Sequence, residues 1–155
     1  MTEANESPAT TAGRSSNKSV RVVGIIIGVL GAIFLVAGIG TYIVVSSTLA
    51  DEKITVSDDA DNFAGKDVKG PFTAYAQADV IAKHAEEIGG GKTYSELAQD
   101  DPNRATVMNA SFLRASLFTS VVAFGVAAFV AVMGVVLILL GWALMRLGKA
   151  SSVAT

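Results

Sequence analysis

VVGIIIGVLGAIFLVAGIGTYIVV, residues 22–45, runs for 24 positions without one charged side chain. At 1.5 Å per residue, a helix of that length is roughly 36 Å long and crosses a bilayer with some tilt. Residues 115–145 repeat the pattern over 31 positions, again without a charge. Each run is longer than the buried helix of a small soluble domain needs. Hydrophobic residues make up 51% of the 155, and they gather in these two blocks. A signal peptide is the competing reading of the first run, with Thr48-Leu49-Ala50 as a small-residue cleavage site. Its apolar stretch is about twice the usual signal length, which favours a retained span.

Basic residues give the direction. Arg14, Lys18 and Arg21 precede the first run with no acid among them, and Arg146 and Lys149 follow the second. Between the runs, residues 48–113 carry twelve Asp and Glu against six Lys and Arg. Lysine and arginine stay on the cytoplasmic side, so both termini are expected inside and the acidic segment outside. Tyr42 and Trp142 fall near opposite membrane surfaces, where amphipathic rings are favoured.

The expected fold is a mainly α membrane protein. Two antiparallel transmembrane helices carry a small helical extracytoplasmic domain inserted between them. The expected division is a disordered cytoplasmic tail (1–21), a first transmembrane helix (22–47), an acidic extracytoplasmic domain (48–113), a second transmembrane helix (114–146) and a cytoplasmic tail (147–155). The second helix should begin near residue 102, where Asp101 caps it and Pro102 takes its first position.

Small residues recur with one spacing in both runs. Gly24, Gly28, Gly31 and Gly38 have offsets of 0, 4, 7 and 14, and Ala127, Ala131, Gly134 and Gly141 repeat them. A seven-residue recurrence keeps one narrow stripe toward a partner along a left-handed pair. Antiparallel helices would set Gly24 against Gly141, Gly31 against Gly134 and Gly38 against Ala127. The alternative is that one stripe docks a partner subunit or a second copy. Neither run contains Asp, Glu, Lys, Arg, His, Asn, Gln or Pro. Ion pathways and broken-helix substrate sites are built from such groups, so a pump or transporter acting alone is disfavoured.

In the intervening segment, residues 53–57 alternate and are β-branched, as a short strand or extended stretch would be. Residues 72–88 read as a helix with Ala74, Ala78, Ile81, Ala85 and Ile88 on its apolar stripe. Gly89-Gly90-Gly91 stops it, and Thr93 with Glu96 suggests a capping box for a short helix to about residue 99. With so few large apolar residues, this segment is expected to pack on extensions of the two spans, with Ala105, Met108 and Phe112 as the receiving face.

Motifs for chemistry are sparse. Gly91-Lys92-Thr93 has the end of a phosphate-binding loop, but Glu86 stands where the first glycine belongs. Asp58, Asp59 and Asp61 are weak candidates for a divalent cation, because Phe63 interrupts the calcium-loop register and no Glu closes it. His84, the only histidine, borders the apolar stripe and is expected to be a half-buried structural ring. With no cysteine there is no thiolate nucleophile or thiolate metal site. A net charge of −2 gives no field for nucleic acid. No catalytic set and no cofactor are expected.

Three stretches carry a resemblance: residues 49–56 (LADEKITV), 70–78 (GPFTAYAQA) and 110–120 (ASFLRASLFTS). They resemble a family of small two-span actinobacterial membrane proteins of unassigned function, over about residues 20–148. The resemblance implies the same two-span fold and brings no functional residues. Members are often labelled aromatic ring-opening dioxygenases. A facial-triad iron site needs two histidines and a carboxylate, and one histidine does not supply it. The expectation is a non-enzymatic accessory or scaffolding subunit of a bacterial inner-membrane complex or homo-oligomer. The alternative is an extracytoplasmic sensor or ligand- or cation-binding membrane protein.

Overall fold

The computed structural model describes residues 11–150. It is mainly helical, with three helices and no strand among the described residues: α1 (Thr11–Asp51), α2 (Pro71–Ile88) and α3 (Arg104–Ala150). Both α1 and α3 are long and apolar enough to cross a membrane. In the most apolar 18 residues of each, 17% are buried, far from the covered state of a soluble protein's core helix. Of the described residues, those up to Ala37 and those from Val130 on form one compact unit; Gly38–Phe129 form the other.

The first helix differs from expectation at both ends. It begins at Thr11, so residues 11–20 are helical where a disordered tail was expected; residues 1–10 lie outside the described residues. Extending a helix already held by an apolar run needs no new nucleus, so weak formers such as Ser15 and Asn17 can follow it. At the other end, α1 continues past residue 47 to Asp51, with Ser47 Oγ and Thr48 Oγ1 each donating to Val44 O at 2.9 Å. Lys53, at φ 52°, takes the left-handed conformation that ends a helix.

Extended chain follows. Val56 N–H donates to Lys66 O at 2.9 Å and Val68 N–H to Ile54 O at 2.8 Å, around a single bridge between Thr55 and Asp67. Gly70 then caps α2, with Thr73 Oγ1 accepting from Gly70 N–H at 3.2 Å and Pro71 in the first turn. The glycines at 89–91 end α2 as expected, and Gly90 and Gly91 take φ of 63° and 80°. No helix forms at 93–99. Glu96 Oε2 does accept from Thr93 N–H at 2.8 Å, but the result is a turn. The ten residues between the triple glycine and Pro102 are too few to repay helix nucleation.

Helix α3 starts at Arg104, two residues later than expected, because Asp101 Oδ1 takes the Asn103 N–H at 2.8 Å and holds Pro102 and Asn103 in a turn. The face it offers to the connecting segment is also different. Val107 is buried and Met108 half-buried, whereas Ala105 and Phe112 are exposed. Arg104 decides this, since its Nη1 donates to Tyr94 O at 3.2 Å and to Leu97 O, with the guanidinium 4.3 Å over the Tyr94 ring. The core of this unit joins Leu49 of α1, Val56 and Val68 of the extended chain, Ala74 and Ala78 of α2, and Leu117 and Phe124 of α3.

Candidate functional site

The small-residue stripe is a set of backbone contacts. A Cβ placed on Gly31 would lie 2.7 Å from both Gly134 O and Ile138 N, and one on Gly134 would lie 2.5 Å from Leu35 N. On Gly24 it would lie 2.9 Å from Gly141 O, and on Gly141 2.7 Å from Gly28 N. Real side-chain carbons do not approach backbone this closely, so glycine is required at Gly24, Gly31, Gly134 and Gly141. Gly28 lends only its backbone, because a Cβ there would point into open space. Gly38 and Ala127 are buried, and Ala131 is half-buried. Gly148 is also buried, seven residues beyond Gly141. The heptad spacing was the signal for it.

Of the flanking basic residues, Arg14 lies in α1 and Lys18 and Arg21 are exposed. The Arg146 guanidinium stacks 4.9 Å over the Trp142 ring, and Lys149 lies in the last turn of α3. A cation near a helix C-terminus meets the negative end of the macrodipole.

Basic side chains of α2 occupy the acidic turn. Asp61 Oδ2 is 2.8 Å from Lys83 Nζ, which also lies 3.3 Å from Asp79. Asp59 Oδ2 is 2.6 Å from His84 Nε2. His84 is therefore an exposed partner of Asp59 and not the half-buried ring expected from the apolar stripe. The His84 hydrogen bond holds the Asp59 carboxyl below its ordinary range, and Asp61 and Asp79 push the Lys83 ammonium above its own. Asp58 remains exposed. Among the described residues, no three His, Asp or Glu side chains group to hold a metal ion.

The buried face of α2 keeps Ala74 and Ala78 of the expected stripe, with Ile81 packed against the core, and widens to Gln77 and Val80. Ala74, Gln77, Ala78 and Val80 are buried, while Ile88 is 41% exposed. Sequence reasoning missed Gln77, whose Oε1 accepts Ser57 N–H at 2.9 Å and so satisfies a polar group inside the unit. A hollow of about 140 Å³ lies beside α2, lined by Phe63, Phe72, Tyr75, Asp61 and Asp79 among others. Both its carboxylates are paired with Lys83, leaving no free base beside Tyr75. No family model, curated protein or solved structure matches the chain.

Proposed function

We propose that this chain is a non-enzymatic two-span protein of a bacterial inner membrane, an accessory or scaffolding subunit of a membrane-protein complex or homo-oligomer. Its helices run antiparallel, with both ends in the cytoplasm and the acidic segment outside. The order of the glycine contacts supports that direction: position rises from Gly24 to Gly31 along α1 as it falls from Gly141 to Gly134 along α3. The position of Lys18, Arg21, Arg146 and Lys149 beside the outer ends of the two runs supports the inward ends.

One observation carries the reading. The intramolecular seam uses a single narrow face, and the other faces of both helices stay apolar and open, with Val36 at 71% and Val132 at 63% exposure. Uncharged surface of this kind is satisfied by lipid or by another span, and it offers nothing to a polar substrate. A photo-reactive residue at position 36 or 132, followed by gentle purification from native membranes, tests it. The expected result is one recurrent polypeptide adduct that co-migrates in stoichiometric amount. A monodisperse monomer with adducts only to lipid overturns the subunit reading. Protease added to intact cells that reached residues before the first run would overturn the topology.

A further inference from the structure

The most exposed large apolar side chain among the described residues lies outside both uncharged runs. It is Phe72, at 74%, in the first turn of α2. Tyr75, one turn on, is 54% exposed, and both rings line the hollow with Phe63, at 47%. Phe63 sits at φ 63°, a backbone that a bulky residue rarely adopts. Three aromatic rings thus share one open patch.

Two contacts fix the level of that patch. Lys69 O, three residues before Phe72, accepts from Ser46 Oγ at 2.7 Å, and Ser46 directly follows the first uncharged run. Tyr75 meets Phe118 edge-on with centroids 5.7 Å apart, and Phe118 is the fourth residue of the second run. Arg114, the last charge before that run, stands 5.3 Å over the Phe118 ring. The rings therefore lie where both apolar runs meet the charged segment. Exposed apolar surface continues along α3 through Val122, at 64%. Lys69, 3.6 Å from Asp67, lies at the same level.

We infer that Phe72, with Tyr75 and Phe63, contacts lipid: the rings enter the headgroup–acyl boundary of the outer leaflet, and Arg114 and Lys69 face lipid phosphates. This rests on the two-span reading above. Aromatic rings are favoured at that depth, and basic groups flanking an apolar patch suit an anionic surface. The patch is continuous with the lipid-facing side of α3, which singles out lipid as its occupant.

The chain has one tryptophan, Trp142, which gives an internal control. The full chain is reconstituted in phosphatidylcholine–phosphatidylglycerol vesicles that contain lipid brominated high on the acyl chain. Native protein is compared with Phe72→Trp and Glu86→Trp, each in a Trp142→Phe background. Phe72 is open enough that its replacement disturbs no packing. Trp142 that escapes quenching sinks the membrane reading and the lipid contact together. With Trp142 quenched, Phe72→Trp is expected to lose about half its emission, as a ring at interfacial depth would. Glu86→Trp, roughly 21 Å along α2 by helical rise, is expected to keep its emission. Phe72→Trp left unquenched beside a quenched Trp142 overturns the lipid contact alone. So does a signal that follows protein density instead of bromolipid content, which would place a second copy on the patch.

Discussion

Residues 24–31 and 134–141 meet through their backbones, whereas residues 38–129 are held together by side chains. In the first region the atoms nearest the Cβ positions of the seam glycines are mostly backbone carbonyl oxygens, amide nitrogens and α-carbons, with Leu137 Cβ and Leu144 Cβ beside them. In the second they are Leu49, Val56, Val68 and Leu117 around Ala74 and Ala78. The proposed surroundings explain the contrast. Against hydrocarbon, burying an apolar side chain gains little, so association depends on how closely two helices approach. Against water, each buried apolar Å² stabilises by about 25 cal/mol, and bulk becomes useful. One chain thus uses two rules of packing, and substitutions that respect one should violate the other.

The sharpest break is at Gly31. Gly31→Ile drives a side chain into Gly134 O and Ile138 N, backbone atoms that cannot turn aside. Overpacking of this kind is expected to destabilise by about 3 kcal/mol or more. Gly28→Ile, three residues away and facing open space, should stay within about 0.5 kcal/mol. Thermal unfolding in detergent micelles reads both. Equal losses at the two positions would end the idea of a glycine seam.

Val56→Ala is the corresponding test of the second region. Val56 is 1% exposed, and removing its two methyls should cost about 2 kcal/mol through lost transfer energy and a cavity. The same substitution at Val36, 71% exposed on α1, should change stability by less than about 0.5 kcal/mol. If Val36→Ala matched Val56→Ala, the open faces of α1 would be packed against protein and not lipid.

The two regions also differ in how far the sequence revealed them. Long uncharged runs have few alternatives, and the shared 0, 4, 7, 14 spacing falls where the contacts Gly24–Gly141 and Gly31–Gly134 lie. A heptad recurrence is a property of one helix face and needs no knowledge of what surrounds it. The connecting segment was harder to read. On α2 the apolar stripe marked Ala74 and Ala78, which are buried, but gave no sign of Gln77 and Val80 beside them. Gln77 joins that face by accepting from the Ser57 amide 20 residues away in sequence. On α3 the deciding contacts were carbonyls of Tyr94 and Leu97, which drew Arg104 inward and left Phe112 outside. Partners distant in sequence leave no periodic trace.

Gln77 offers a smaller test of the same unit. Gln77→Met keeps the side chain's length and removes its acceptor, leaving Ser57 N–H without its partner. The expected cost is about 1–2 kcal/mol, with faster hydrogen exchange at the Ser57 amide. Unchanged exchange there would show that Gln77 is a filler and not an organiser.

The smallest expected effect separates the two regions by acid. The uncharged runs contain no Asp, Glu, Lys, Arg or His, whereas the acidic turn is tied to α2 through Asp59–His84 and Asp61–Lys83. Asp59 has its carboxyl pKa lowered in the fold, chiefly by the His84 hydrogen bond. Its contribution is therefore complete above the unfolded carboxyl value of about 3.8 and is lost as pH falls through the lower folded value. Lys83 works in the opposite sense, because its pKa is raised, and its contribution fades only as pH climbs through the folded value in the alkaline range. Hydrogen exchange corrected for intrinsic rates, followed from about pH 5 to about pH 2, should show protection falling at the Val56 and Val68 amides and holding across residues 24–38. Asp59→Asn should remove the part of that fall that belongs to Asp59. A parallel loss in both regions would mean that the seam depends on the acidic turn, and the division into two packing rules would fail.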